Sequence, residues 1–303
     1  MIDNSDPRTD GRGYGIGAAA FRAPPLEPAL YVVATPIGNL RDVTIRALET
    51  LAGADIVAAE DTRVTRILLD RYAIARKPVA YHDHNAEAAG PRLIQALKTG
   101  KSVALVSDAG TPLVSDPGYR LVEQALAAGV RVIPIPGASA VLSALVATGL
   151  PTDAFLFAGF PPVKDGARRS RFEALAATPA TLVFYESPHR LAESLAALAE
   201  ALGPERPAGV AREMTKTFEE VRRGTLRHLA DHYAAAGEPK GEIVIVVAPP
   251  PPATFAATDI DALLASLVAE MPASRAAAEA ARMTGRPKGD LYKRLLELKG
   301  GSA

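Results

Sequence analysis

A twelve-residue loop, SDAGTPLVSDPG at positions 107–118, has the composition of a ligand-binding turn. It directly follows the apolar run SVALV (102–106), which predicts a short buried β-strand. The loop holds two aspartates, two prolines and two glycines, more than a simple chain reversal needs. Small residues let backbone N–H and C=O groups approach a ligand closely, so we predict that this loop lines a small-molecule pocket.

Three further loops follow predicted strands in the same way: TPIGNL (35–40), EDTR (60–63) and PGAS (136–139). Each loop alone is explained by ordinary strand termination. Ligands of open α/β sheets bind at the carboxyl ends of the strands, and four such loops would meet on one edge. None of them has the lysine of a phosphate-binding P-loop.

The elements that carry these loops alternate in type. From residue 30 to 148, short apolar strands alternate with helices of about ten residues, which predicts a mostly parallel α/β sheet. GLPTD (149–153) breaks the pattern, and apolar strands resume after it, so we predict a second α/β domain. The predicted organisation is a disordered leader (1–28), two α/β domains (29–149 and 150–248) and a small helical tail (254–303).

Bulk composition excludes several classes of protein. The formal net charge is zero, from 34 basic and 34 acidic residues, so any nucleic-acid-binding surface has to be local. There are no cysteines, which excludes disulfides and thiolate metal sites and suits a cytoplasmic protein. His82 and His84 in YHDHN lie two residues apart, but no third ligand completes a zinc site, so we predict no metal.

Seven motifs of the chain together resemble one known family. They are TPIGNL (35–40), AAEDTR (58–63), YHDHN (81–85), SDAGTPLVSDPG (107–118), IPIPGASA (133–140), FYESPHR (184–190) and AREMTKTFEE (211–220). In order and nearly letter for letter, they are similar to the tetrapyrrole-methylase, or class III S-adenosylmethionine-dependent, methyltransferases, in the branch that methylates the ribose 2′-hydroxyl of a cytidine in 16S ribosomal RNA. The superfamily's usual Gly-Asp-Pro-aromatic loop is replaced here by SDAGTP, which points away from tetrapyrrole substrates.

The resemblance implies a homodimer of two-domain α/β chains, with S-adenosylmethionine bound in the cleft between the domains and the small ribosomal subunit as partner. It also implies a set of cofactor-binding residues from both domains. The set is Pro36, Gly38, Asp108, Ala109, Gly110, Thr111, Leu113, Val114, Pro136, Gly137, Ala138, Ser139, Phe160, Ala211 and Glu242.

Methyl transfer to a ribose hydroxyl needs alignment of the reactants and a group that accepts the hydroxyl proton. By the resemblance, the catalytic candidates are Glu60 and Asp61 from the first domain and Glu213 and Lys216 from the second. The residue types do not choose among them. The acidic pair is equally explained by a helix N-terminus, where acidic residues are favoured.

Contacts to RNA phosphates need local positive charge. One basic stretch is KDGARRSR (164–171), and another is the turn TGRPK (284–288) between two predicted tail helices. The two helices and their turn fit either a helix-turn-helix or a hairpin that caps the body. The RNA-binding candidates are Arg63, Arg168, Arg169, Arg171, Arg190, Arg286 and Lys288.

Three other functions remain open. A small-molecule methylase of the tetrapyrrole type would have the same fold but no use for the basic tail. A non-catalytic ribosome-assembly factor would bind RNA and merely hold the cofactor. A nicotinamide-linked oxidoreductase is disfavoured, because the G-x-G-x-x-A sequence at 13–18 follows no predicted strand.

Overall fold

The computed structural model describes residues 11–116, 118–251 and 257–300. The chain begins there with an antiparallel hairpin, β1 (Gly13–Ile16) and β2 (Ala19–Arg22). Tyr14 is buried against the first domain and stacks on Phe21, and the N–H of Gly15 donates to the carbonyl of Tyr72 at 2.7 Å. The prediction of a disordered leader is therefore wrong for residues 11–28, because burial of Tyr14 and Ala23 fixes this segment. Residues 1–10 of that leader lie outside the described residues.

A five-stranded, all-parallel sheet follows, in the order β5-β4-β6-β3-β7. Helices lie between its strands, and the two apolar clusters against the sheet explain why β3 and β6 are apolar throughout. In chain order the elements are β3 (Leu30–Val33), α1 (Ile45–Gly53), β4 (Ile56–Ala59), α2 (Thr62–Arg71), β5 (Val79–Ala80), α3 (Ala86–Lys98), β6 (Val103–Val106), α4 (Tyr119–Ala127), β7 (Val132–Ile135) and α5 (Ala140–Thr148).

The second sheet is mixed, in the order β11-β10-β12-β9-β8, and only the β8–β9 pair is parallel. Its elements are β8 (Phe155–Phe157), α6 (Asp165–Leu175), β9 (Thr181–Glu186), α7 (Leu191–Leu202), β10 (Pro207–Arg212), β11 (Glu220–Thr225), α8 (Leu226–Ala236) and β12 (Ile243–Val247). These elements confirm the predicted α/β architecture.

Helix α5 joins the two sheets. Val141 and Leu145 of α5 are buried against Val183 and Val244 of the second sheet, while α6, α7 and α8 form an apolar cluster with other side chains of that sheet. Gly209 of β10 leaves the space for this contact, because a Cβ there would lie 2.5 Å from Thr148 Cγ2. The sequence assigned α5 to the first domain, but its packing belongs to the second.

The tail forms a separate helical unit of α9 (Ala257–Glu270), α10 (Ala273–Thr284) and α11 (Lys288–Gly300). Side chains of all three helices, including Leu264, Ala277 and Leu291, share one apolar cluster. Gly285 ends α10 in the left-handed conformation, at a φ of 69°. None of the helices in the described part of the chain has the length and apolarity that crossing a membrane requires.

Candidate functional site

Four adjacent strands of the parallel sheet place the four predicted ligand-binding loops along one edge. Their order β4-β6-β3-β7 sets EDTR, SDAGTP, TPIGNL and PGAS side by side. Two of these loops pair directly: the N–H of Thr35 donates to the carbonyl of Gly110 at 2.8 Å, and the N–H of Gly110 returns a bond at 3.1 Å. Gly110 has a φ of 77°, a conformation that glycine adopts without strain.

A cavity of about 320 Å³ lies between this edge and the second sheet. Its volume is at the lower end of the range of small-molecule sites. Seven of the predicted cofactor-binding residues line it: Ala109, Gly110, Thr111, Val114, Ser139, Phe160 and Glu242.

The other eight predicted cofactor-binding residues do not line the cavity. Ala211 is fully buried in the apolar cluster beneath α5, and Leu113 packs against the cluster beside β6. Gly137 lies against Ala34, which directly follows β3, and an added Cβ at Gly137 would lie 3.0 Å from the Cβ of Ala34. Pro36, Gly38, Asp108, Pro136 and Ala138 belong to the surrounding loops.

Twelve lining residues were not assigned from the sequence. Most of them belong to the seven motifs, which located the ends of the strands but did not assign a role to each side chain. For the apolar residues, the sequence does not distinguish a position in a cavity wall from a position in the core. The twelve residues are Ile37, Ser115, Asp116, Ala140, Tyr185, Glu186, Ser187, Pro188, Met214, Gly241, Ile243 and Val244.

Carboxylate side chains line part of the cavity. Burial raises the pKa of Asp116, and the nearby charge of Asp108 adds to this, against a hydrogen bond from Ser107. Burial likewise raises the pKa of the Tyr185 hydroxyl, and the charges of Asp116 and Glu242 raise it further. A site of this kind favours a cationic ligand with an apolar portion.

Glu60 lies beside the same acidic groups. The N–H of Asp108 donates to Glu60 Oε2 at 3.4 Å, and the N–H of Asp61 donates to Asp108 Oδ1 at 3.0 Å. Burial raises the pKa of Glu60, and the charges of Asp108, Asp116 and Asp83 act in the same direction. Among the three candidate carboxylates, Glu60 is the one whose pKa moves toward neutrality.

Asp61 is the N-cap of α2. Its carboxylate accepts from the N–H of Arg63 at 2.8 Å and forms an ion pair with the guanidinium of Arg63 at 2.6 Å. These bonds lower the pKa of Asp61 to about 2, which leaves it a weak base. Arg63 is highly exposed, so the pair holds it at the surface.

Lys216 and Glu213 form an ion pair at the rim of the cavity. Lys216 Nζ lies 2.7 Å from Glu213 Oε1 and 3.2 Å from Glu242 Oε2. Burial by itself would lower the pKa of Lys216, but the hydrogen bonds to both carboxylates outweigh it and raise the pKa. The bond from Lys216 lowers the pKa of Glu213. Lys216 therefore stays protonated and cannot accept a proton.

Arg190 lies inside the second domain. Its guanidinium contacts Glu186 Oε1 at 2.9 Å, and its Nε donates to the hydroxyl of Ser187 at 2.9 Å. The Glu186 side chain is 0% exposed and also accepts from the hydroxyl of Ser194. Arg190 thus fixes two lining residues, Glu186 and Ser187, and does not present its charge to an RNA phosphate.

The stretch 164–171 starts helix α6, which the sequence analysis missed. Arg168 is 3% exposed and pairs with Asp165 and Glu193, and Arg169 pairs with Asp165 and Glu200. The i,i+3 and i,i+4 spacing explains the two pairs with Asp165, whereas Glu193 and Glu200 belong to the neighbouring helix α7. The prediction that Arg168 contacts RNA is wrong, because its charge is buried and compensated.

Three predicted RNA-binding residues remain available at the surface. Arg171, Arg286 and Lys288 are exposed, and no described residue forms an ion pair with them. Arg286 and Lys288 lie in and just after the turn between α10 and α11. Within the described residues, no group of three His, Cys, Asp or Glu side chains is arranged to hold a metal ion.

Comparison with known proteins agrees with this geometry. The family model of tetrapyrrole (corrin/porphyrin) methylases matches residues 29–230, and the model described as RsmI C-terminal HTH domain matches residues 255–299. A ribosomal RNA small subunit methyltransferase I of Mesorhizobium japonicum is 68% identical over 284 residues, which cover 94% of this chain and 97% of the relative. One of Pseudomonas aeruginosa is 48% identical and covers 90% of this chain and 98% of the relative.

A solved structure shares the fold. Uroporphyrin-III C-methyl transferase from Thermus thermophilus, complexed with S-adenyl homocysteine, is 22% identical with a TM-score of 0.52, covering 73% of this chain and 97% of that one. The resemblance inferred from the seven motifs is therefore confirmed. The chain belongs to the tetrapyrrole (corrin/porphyrin) methylase family, in the group of the ribosomal RNA small subunit methyltransferases I.

Proposed function

We propose that this protein transfers a methyl group from S-adenosylmethionine to the ribose 2′-hydroxyl of a cytidine in the 16S RNA of the small ribosomal subunit. The observation that carries the proposal is the acidic, partly apolar cavity at the strand ends, in a chain whose relatives are named for methylation of small-subunit ribosomal RNA. A fold neighbour is complexed with S-adenyl homocysteine, the demethylated form of this cofactor.

The cavity fits the proposed cofactor. S-adenosylmethionine supplies an electrophilic methyl group on a sulfonium cation. The carboxylates of Asp116 and Glu242 are suited to the cationic portion, and Ile37, Val114 and Ile243 offer apolar walls for an adenine ring. Gly110 and Gly241, both at positive φ, expose backbone groups to the cavity without a side chain.

Glu60 is our proposed acceptor for the proton of the ribose hydroxyl. Its raised pKa brings it closer to neutral pH, where a general base works best. Asp61 and Glu213 have lowered pKa values, and Lys216 stays protonated. In the proposed step, the oxygen–methyl bond forms as the sulfur–methyl bond breaks, and the hydroxyl proton moves to the Glu60 carboxylate.

RNA would be held by exposed basic residues, and we propose Arg63, Arg171, Arg286 and Lys288 for this role. The tail match to a helix-turn-helix model supports the last two. Recognition of a ribose requires the nucleotide to be accessible, so the substrate is a structured particle with an exposed loop. We also propose a cytoplasmic homodimer, for which light scattering should give twice the 31.7 kDa mass of one chain.

The test is methyl transfer to small ribosomal subunits purified from cells that lack this gene. With S-adenosylmethionine carrying a deuterated methyl group, nucleoside mass spectrometry should find one labelled 2′-O-methylcytidine per 16S RNA. E60Q should bind the subunit normally and transfer much more slowly. Label on a base would refute the ribose hydroxyl as the acceptor of the methyl group, and normal transfer by E60Q would refute Glu60 as the acceptor of the proton.

Absence of any transfer, with normal subunit binding, would instead favour a non-catalytic assembly factor.

A further inference from the structure

The loop of residues 213–219, which we call the latch loop, joins β10 to β11 and reaches the first domain. The N–H of Asn39 donates to Thr215 Oγ1 at 3.1 Å, across the boundary between the two sheets. Next to it, the side chain of Lys216 lies on Gly38, where an added Cβ would be 2.5 Å from Lys216 Cγ. The loop thus contacts TPIGNL, one of the four loops at the cavity edge.

The charge of Lys216 joins this contact to the cavity wall. Its ammonium group bridges Glu213 and Glu242, and Glu242 lines the cavity whereas Lys216 does not. The Glu242 side chain is 73% exposed, and Lys216 is the cation that contacts its carboxylate at the rim. A main-chain hydrogen bond reinforces the contact between Glu213 and Glu242, because the N–H of Glu242 donates to Glu213 Oε1 at 3.0 Å.

The backbone on both sides is shaped for these side chains. Gly38 and Gly241 have φ values of 154° and 100°, and a Cβ at Gly241 would overlap the carboxylate of Glu213. Glu213 and Thr215 themselves have positive φ values of 52° and 68°. Non-glycine residues hold such conformations only where their contacts impose them, and they concentrate at sites with a function.

We propose that Lys216 is a positioning residue that latches the two domains over the cavity and so sets how long the cofactor stays bound. The inference rests on the proposed function for the identity of the ligand. Its ion pairs with Glu213 and Glu242 lie within the second domain and hold its side chain against Gly38 of the first domain, so the contact between the domains weakens when these ion pairs break. The latch loop then separates from TPIGNL, and the cofactor product can leave.

Binding of S-adenosylhomocysteine to the full chain tests the latch by stopped-flow fluorescence and calorimetry. K216M should raise the dissociation rate of S-adenosylhomocysteine roughly tenfold, since a hydrogen-bonded charge is removed. K216R keeps the charge and should bring the rate most of the way back to that of the wild type. Added salt should speed dissociation from the wild type more than from K216M. The control K98M removes an exposed lysine of α3 and should change neither rate.

A second readout needs no ligand. Hydrogen exchange of the Asn39 amide should become faster in K216M and stay unchanged in K98M, because this amide donates to the latch loop. A catalytic base at Lys216 predicts instead the loss of one limb of the pH–rate profile of methyl transfer. The latch predicts that K216M keeps the shape of that profile.

Unchanged dissociation and unchanged Asn39 exchange in K216M would overturn the inference. If the wild type failed to bind S-adenosylhomocysteine while Asn39 exchange still responded to K216M, the proposed function would fall and the link between the domains would stand. The two failures are therefore distinguishable.

Discussion

Replacement of Arg190 by methionine separates a structural role from an RNA-binding one. The Glu186 carboxylate is 0% exposed and has one cationic partner, Arg190, at 2.9 Å; its other donors are the N–H of Ser187 and the hydroxyls of Ser187 and Ser194. Removing one partner of a buried ion pair costs about 3–5 kcal/mol. Because the Arg190 side chain is 15% exposed, we expect the lower end, about 3 kcal/mol.

Urea unfolding followed by circular dichroism measures this loss. R190M should lower the midpoint with an unchanged slope, and the melting temperature should fall by about 12–24 °C for about 3 kcal/mol in a domain of about 100 residues, the size of the second domain. The double variant E186Q/R190M should regain much of the stability, because no buried charge is then left without a partner. R171M is the matched control, and its exposed position predicts a change within about 0.5 kcal/mol.

One result would refute this reasoning. If R190M unfolded like the wild type, and the slope of log affinity for RNA against log salt fell by about 0.7, then Arg190 would be contacting a phosphate. The ion pair with Glu186 would then contribute nothing measurable to stability.

Three further predictions concern other parts of the chain. Burial raises the pKa of Glu60, so the folded protein binds its proton more tightly than the unfolded chain, and the stability that Glu60 contributes is lost as the pH rises from its unfolded pKa to its folded pKa. In a pH series of urea midpoints, the unfolding free energy of the wild type minus that of E60Q should fall over this range, and a constant difference would contradict the raised pKa. Gly209→Ala should destabilise by about 1–3 kcal/mol through overpacking of α5 on β10, whereas Gly166→Ala, in open space on α6, should be neutral or stabilising by up to about 1 kcal/mol; equal midpoints would contradict the packing argument. Loss of both Arg286 and Lys288 should lower the salt slope of RNA binding by about 1.4, as measured by filter binding, and an unchanged slope would place the RNA elsewhere.

The sequence predicted the first sheet well because its central strands β3, β4 and β6 are buried on both faces. Runs such as SVALV are apolar throughout and end in glycine and proline, so their boundaries were found within one or two residues. The hairpin of β1 and β2 was missed because its short strands contain glycine and alanine, and Tyr14 and Ala23 are fixed only by contact with residues distant in sequence. No local pattern carries that information.

The site was predictable at the level of loops and less so at the level of side chains. The family motifs located the strand ends, and seven predicted residues line the cavity. Ala211 was predicted to bind the cofactor because it belongs to one of the family motifs. Its position in β10 directs its side chain into the apolar core instead. Which of two faces a strand residue occupies depends on pairing, which the sequence does not show.

Several arginines that the sequence predicted to bind RNA are neutralised by ion pairs within the protein. Helix α6 converts a basic stretch into ion pairs at helical spacing, so Arg168 and Arg169 are neutralised within the second domain, and Arg190 is used by Glu186. Arg286 and Lys288 lie in the tail, which has its own apolar cluster. We therefore infer that the two sheets hold the cofactor and that the tail adds its charge for RNA to that of Arg63 and Arg171, so substitutions at Arg286 and Lys288 should lower RNA affinity without changing cofactor affinity.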